Sequence, residues 1–248
     1  MTYCVGVLVD DGVIFASDSR TNAGVDNFSQ FCKMTVFERP GERLIVLLSS
    51  GGLAGTQAII SVLKQRVEMD DGKPNLLTAK TMFDVARIIS DATREVEERD
   101  AAWLKNSNLT FNASFIFGGQ IKGEPVRLFR TYAETNFIEA ERDTPFLQTG
   151  ETKYGKPILD RVINASTTLE DAAKCVLVSF DSTMRSNLSV AMPIDLLCYE
   201  RDTLRVSKRR RFAQGDAYFS ALSQKWSEGV RAAFKELPEP QWTGGERR

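Results

Sequence analysis

The stretch Thr2-Tyr3-Cys4-Val5-Gly6-Val7-Leu8-Val9-Asp10-Asp11-Gly12-Val13-Ile14-Phe15-Ala16-Ser17-Asp18 is two short apolar, β-branched runs on either side of an Asp-Gly pair. Asp-Gly between two such runs is a strong hairpin signal. With Asp11-Gly12 at the centre of the turn, Asp10 pairs with Val13, Leu8 with Phe15 and Val5 with Asp18. That register leaves Asp18 roughly 10 Å from Thr2 along the strand direction. Asp18 then returns to the neighbourhood of Thr2 without touching it, and is placed to hold a third group.

Position 2 matters because Met1 ahead of a small residue is a usual substrate for Met removal. Removal leaves a threonine whose α-amine and hydroxyl sit on one residue. A Thr hydroxyl can be activated by its own N-terminal amine. An α-amine has a reference pKa of about 7.7–8.0, so near neutral pH a useful fraction is unprotonated. On its own a Met-Thr start says little.

The third group has a candidate. Ser19 to Gln30 is polar and turn-rich and reads as a loop. Lys33 to Phe37 reads as a strand, Arg39-Pro40-Gly41-Glu42 as a turn, and Leu44 to Leu48 as a fully apolar strand, giving four strands in the first fifty residues. A lysine at the start of an inner strand is costly to bury unless paired. Lys33 is therefore either the partner of Asp18 or an exposed strand end. Ser49-Ser50-Gly51-Gly52 then opens a helix with Thr56, Ile59, Ile60, Leu63 and Val67 on one face. Two glycines ahead of a helix let the backbone approach a ligand and aim N–H groups at it. An oxyanion hole is made in that way; a plain tight turn is the alternative.

Composition narrows the chemistry. The 248 residues contain no histidine, which excludes Ser-His-Asp and Cys-His catalysis and His-ligated zinc. The net charge of −1 carries no electrostatic footprint for nucleic acid or an anionic membrane. No apolar run approaches the roughly 20 residues of a membrane-spanning helix, and no signal peptide is evident. Cys4, Cys32, Cys175 and Cys198 are far apart, form no CxxC, and read as buried free thiols of a cytoplasmic protein. No metal and no cofactor is expected.

The remaining chain alternates in blocks. Thr78 to Lys105 reads as a long amphipathic helix with Trp103 on its inner side, and Phe111 to Gln148 as further strands. Lys153 to Ile163 and a helix capped by Thr168 with Asp171 at its third position follow. Ser189 to Glu200 reads as a strand with Leu204-Arg205-Val206 as its hairpin partner. Lys208-Arg209-Arg210-Arg211 is a solvated edge or subunit contact, and Ala217 to Phe234 a last helix with Tyr218, Leu222, Trp226, Val230 and Phe234 four apart. Residues 1–236 read as one domain and 237–248 as a polar tail. This order fits an α+β fold of two sheets between helical layers.

The N-terminal Thr2, the hairpin, Ala16-Ser17-Asp18-Ser19-Arg20, Lys33 and Ser50-Gly51-Gly52 together resemble the proteasome β-type peptidases. Cys4-Val5-Gly6, Phe31-Cys32-Lys33 and Leu48-Ser49-Ser50-Gly51-Gly52-Leu53-Ala54-Gly55 look like the bacterial ancestral-β-subunit branch, Anbu. The resemblance implies a four-layer αββα N-terminal-nucleophile hydrolase. By it, Thr2 attacks the scissile carbonyl, its amine takes the proton, Lys33 assists by its charge, Asp18 orients Lys33, and the Gly51 N–H forms the oxyanion hole. Thr21-Asn22 would pair with an extended peptide as an added strand. A homo-oligomer, ring or helical, is implied, with peptide or protein as substrate; whether an unfoldase docks is left open. By the resemblance, the family's Ser-Gly pair and Asp-x-x-Ser pair are matched by Thr149-Gly150 and Ser186-Asn187-Leu188-Ser189, with Ser186 where the family has a carboxylate. A small-amide hydrolase and a catalytically idle scaffold are the competing readings.

Overall fold

The computed structural model describes residues 2–22, 28–69, 72–106, 110–132, 136–206 and 208–241. Six strands, not four, occupy the first fifty-one residues: β1 Tyr3–Val9, β2 Gly12–Asp18, β3 Arg20–Asn22, β4 Phe28–Gln30, β5 Met34–Arg39 and β6 Arg43–Gly51. The two additional strands form a short hairpin at the ends of the stretch read as a loop. Its central Gly, Asp and Asn residues dominated that reading.

The first hairpin forms, but its register differs from the expected one. Val9 pairs with Gly12, Val7 with Ile14 and Cys4 with Ser17. The turn is Asp10-Asp11, and Gly12 lies inside the ladder, between Val9 and Glu200. Gly12 is needed there for close approach: a Cβ would come 2.0 Å from the Tyr199 carbonyl oxygen. A slip of two residues keeps every side chain on its face, yet it carries Asp18 to the level of Tyr3.

Helix α1 spans Leu53–Met69 and α2 spans Met82–Asn106. The second starts later than Thr78 because Thr81 and Asp84 cap each other. The Asp84 N–H donates to Thr81 Oγ1 at 3.0 Å, and the Thr81 N–H to Asp84 Oδ2 at 3.2 Å. Trp103 is 76% exposed, so it does not belong to the inner face. Strands β7 Ala113–Ile121, β8 Arg127–Thr131, β9 Phe137–Glu139 and β10 Phe146–Gly150 follow, then α3 Lys156–Val162 and α4 Leu169–Ser186. The Asp171 N–H donates to Thr168 Oγ1 at 3.2 Å, the cap expected from sequence. Strands β11 Ile194–Glu200 and β12 Lys208–Phe212 complete the set.

One sheet has the order β10-β1-β2-β11-β12 and the other β5-β6-β7-β8-β9, with every neighbouring pair antiparallel. Cys4, Val13, Phe15, Leu197 and Tyr199 of the first sheet pack on Leu44, Val46, Leu48, Ile116 and Leu128 of the second. The far face of the second sheet, with Ile45, Leu47, Phe115 and Phe117, packs on Ile59 and Leu63 of α1 and Val85 and Ile89 of α2. Leu44 to Leu48 of β6 is an unbroken apolar run because both faces of the strand are covered there. Each large aliphatic side chain buried this way contributes about 1.5–3 kcal/mol. Helix α4 covers the other face of the first sheet, where the Tyr3 and Phe180 rings lie 4.5 Å apart.

The partner of β11 is the basic run itself, not Leu204-Arg205-Val206. Asp202 and Leu204 have φ of 65° and 46°, which a strand cannot accommodate. Arg211 pairs with the buried Asp195 at 3.1 Å, and the charged strand forms the sheet's edge. Strand β11 starts at Ile194 rather than Ser189, since a turn ties the Val190 N–H to the Asn187 carbonyl. All four cysteines are free; Cys4, Cys175 and Cys198 are buried, whereas Cys32 is exposed against expectation.

By its internal contacts the chain divides into two compact units, Met1–Gln214 and Gly215–Arg248. The second holds α5, Ala217–Lys235, capped by Asp216, whose Oδ1 accepts from the Phe219 N–H at 3.0 Å. Of its expected apolar stripe, Tyr218, Val230 and Phe234 are exposed. Residues 242–248 of the expected tail lie outside the described ones. Among the described residues no helix is long and apolar enough to cross a membrane.

Candidate active site

A cavity of about 300 Å³ opens where the N-terminal end of β1 meets the C-terminal end of β6. It is lined by Thr2, Thr21, Lys33, Ser50, Gly51 and Gly150, among others. The segment before β1 brings Thr2, β6 brings Ser50 and Gly51, and the segment before β5 brings Lys33.

Asp18 and Lys33 form a buried ion pair. Lys33 Nζ donates to Asp18 Oδ1 at 2.7 Å and to the Arg20 carbonyl at 2.6 Å. The pair is enclosed, with Asp18 0% and Lys33 7% exposed. Asp18 also accepts from two backbone N–H groups, Tyr3 to Oδ1 at 3.0 Å and Arg20 to Oδ2 at 3.2 Å. Asp18 therefore fastens the residue after Thr2 as well as Lys33, a contact the expected register did not allow. Burial pushes its carboxyl above the ordinary value, while the Lys33 ammonium and the hydrogen bonds from Lys33, Tyr3 and Arg20 pull it down.

The strand on the other side of Thr2 is β10. Tyr3 pairs with Gly150 and Cys4 with Thr149, and the Glu151 N–H donates to the Thr2 carbonyl at 2.7 Å. Gly150 sits at φ +84°, and a Cβ there would come 1.9 Å from the Thr2 carbonyl oxygen. Only glycine lets β10 approach this closely. Thr149 Oγ1 donates to Ser114 Oγ at 3.1 Å, bridging the two sheets behind the cavity. The Tyr3 hydroxyl is held by Ser179 at 2.9 Å and by Gln148 at 2.7 Å.

The sequence-predicted residues separate into two groups. Thr2, Lys33, Gly51 and Thr21 line one cavity, and Asp18 backs it through Lys33. Ser186 does not join them: it is the last residue of α4 and is exposed. Ser189 is half-buried, its N–H donating to Asn187 Oδ1 at 2.9 Å. Thr21 and Asn22 lie in β3, paired with Ser29 and Phe28 of β4. Met1 lies outside the described residues.

Glu151 and Asn187 were missed. Asn187 Nδ2 donates to Glu151 Oε2 at 2.8 Å, which ties the residue after Gly150 to the end of α4. The only signal was position, since both are neighbours of residues already singled out. Among the described residues no group of three or more His, Cys, Asp or Glu is arranged to hold a metal ion.

No protein-family model matches the chain, and no curated protein does. Solved structures match over nearly the whole length. A Gly-1 variant of Anbu from Hyphomicrobium sp. strain MC1 is 51% identical, with 98% of this chain and 100% of that one covered and a TM-score of 0.91. Anbu, described as an ancestral β-subunit, from Yersinia bercovieri is 44% identical, with 97% and 100% covered and a TM-score of 0.91. The helical assembly of the Anbu complex from Pseudomonas aeruginosa has a subunit 48% identical, with 96% and 98% covered and a TM-score of 0.92. Identity of this order along the full chain, together with two antiparallel sheets that converge on Thr2, means that this chain belongs to the Anbu family of ancestral proteasome β-subunit-like proteins.

Proposed function

We propose that this chain is an N-terminal-threonine peptidase or amidase of proteasome type, built as a four-layer αββα hydrolase and assembled with copies of itself in the cytoplasm. The observation that carries the reading is the buried Asp18–Lys33 pair at 2.7 Å, its ammonium lining the same cavity as Thr2. In a histidine-free chain, that pair and a freed α-amine are the groups at hand for moving a proton away from a hydroxyl.

After Met1 is removed, the Thr2 amine takes the proton from Oγ1 as Oγ1 attacks the scissile carbonyl. Lys33, held by Asp18 and the Arg20 carbonyl, lowers the energy of the developing alkoxide. The Gly51 N–H receives the oxyanion. The amine half of the substrate leaves with the transferred proton, and water then hydrolyses the Thr2 ester. A peptide adds as a strand beside Thr21-Asn22, along the edge of β3 opposite β4. The helical assembly of the Pseudomonas relative supports self-association here.

Intact mass spectrometry with a threonine-directed electrophile tests the reading. The expected result is a chain lacking Met1 that gains one adduct on Thr2, with none in Thr2→Ala. Retained Met1, or hydrolysis undiminished in Thr2→Ala, would overturn it. Assembly that persists with no adduct would favour an idle scaffold. An unbiased peptide library set against small amides separates peptidase from small-amide hydrolase.

A further inference from the structure

Glu151 is a buried carboxylate that ties the end of β10 to the end of α4 through Asn187 and has no part in the chemistry above. It is 7% exposed. Its Oε2 accepts from Asn187 Nδ2 at 2.8 Å and its Oε1 from the Lys153 N–H at 3.4 Å. Among the described residues no lysine or arginine pairs with it. Neutral donors offset part of the cost of burying a carboxylate, and a nearby cation would offset more. Its place is specific: continuing the Tyr3↔Gly150 pairing by one residue puts Glu151 across the ladder from Thr2, and its N–H donates to the Thr2 carbonyl at 2.7 Å.

We propose that Glu151 is the resident counter-charge for the α-ammonium that Met1 removal creates on Thr2, and that it raises the basicity of that amine and fixes its orientation. The proposal rests on the reading that Met1 is removed. In the unprocessed chain the Thr2 nitrogen is an uncharged amide; Met1 removal moves the chain's α-ammonium onto it. Glu151 touches neither substrate nor reacting bond, so it is a positioning residue.

The other charged and titratable groups near Thr2 do not take this part. Asp18 and Lys33 neutralise each other. The Arg20 guanidinium donates to the Leu188 carbonyl at 2.7 Å. The Tyr3 phenol and Cys4 thiol, on the same strand, are pushed well up by burial and stay neutral. Arg185, at the end of α4, pairs with Asp181 at 3.0 Å. Strand β6 and the start of α1 present Ser49, Ser50, Gly51, Leu53 and Thr56 to the cavity.

Competitive acetylation of the full-length protein between pH 5 and pH 10, read by mass spectrometry on the N-terminal peptide, measures the amine directly and needs no hydrolysis. The Thr2 amine of Glu151→Gln should titrate about 0.5–1 pH unit below that of the parent. Glu151→Asp should recover part of the difference, and Ser186→Ala none of it. Equal values in the parent and Glu151→Gln, with Met1 absent, would overturn the proposal. If Glu151→Gln does not fold, the parent decides: a value no higher than about 7.7–8.0, that of a free α-amine, also overturns it. Retained Met1 sinks this proposal and the nucleophile together. A shifted amine without any Thr2 adduct sinks the nucleophile and leaves the charge pairing standing.

Discussion

Thr2 lies between two strands that hold it in different ways. On the β2 side, the Asp18 carboxylate meets an ammonium and two backbone N–H groups, three polar contacts with the charge balanced. On the β10 side, the Glu151 carboxylate meets an amide and a backbone N–H, with no cation. Both carboxylates are buried and both belong to residues on strands flanking the start of β1, so burial alone does not distinguish them. The difference is that the first carboxylate is paired with a cation, whereas among the described residues the second is held by neutral donors alone.

Breaking the ion-paired side should produce the largest effect. Asp18→Ala leaves the Lys33 ammonium buried without its partner, which costs about 3–5 kcal/mol. Chemical denaturation should record that loss. Lys33→Ala leaves Asp18 with its two N–H donors, so it should be tolerated better in folding while slowing labelling of Thr2 by about 10²-fold or more. Labelling that survives Lys33→Ala would mean that the two sides are equivalent scaffolding.

Gly150→Ala attacks the β10 side through the backbone. The added methyl would press on the Thr2 carbonyl at a positive φ, so β10 must withdraw. A stability loss of about 1–3 kcal/mol is expected, together with slower adduct formation at Thr2. Unchanged labelling would show that the β10 contact does not position the nucleophile. Ser186→Ala, on an exposed residue of the same side, should stay within about 0.5 kcal/mol of the parent and leave labelling unchanged.

The smallest effect is chemical and leaves the fold intact. Thiols react as thiolates. Burial pushes Cys175 up to about 12, Cys198 up to about 11 and Cys4 well up, so all three stay protonated at pH 8. Cys32, exposed beside Lys33, should be alkylated first in the native protein, and the others only after unfolding. Because those thiols are harder to ionise folded than unfolded, stability should fall as the pH rises above about 9, with the unfolded chain releasing protons first. Early alkylation of Cys4 would show that the β2 side opens.

How much of this was legible in the sequence follows from how local each signal is. The Thr168 cap, the covered strand β6 and the meeting of Asp18 with Lys33 depend on short patterns, and all three appear in the structure. The hairpin register slipped because the Asp-Gly signal assigns glycine to the turn, while Gly12 is required by the close passage of Tyr199 from the far end of the chain. The basic run became strand β12 for a similar reason: its partner β11 and the Arg211–Asp195 pair are set by the tertiary fold, not by neighbouring residues. Glu151 left no local trace at all. A lone glutamate after a glycine gains meaning only when β10 lies against β1.

One consequence of the strand contacts at Thr2 concerns what happens at a chain end. The first residues of a chain ordinarily fray. Here the fastening among the described residues lies on the C-terminal side of the Met1–Thr2 bond: the Thr2 carbonyl is held by Glu151, and Tyr3 by Asp18, Ser179 and Gln148. Cutting that bond removes none of these contacts. The new terminus would be left with the rotation of its amine and of one side chain to search, so in the proposed chemistry the hydroxyl would meet a bound carbonyl at high effective concentration rather than from a loose end.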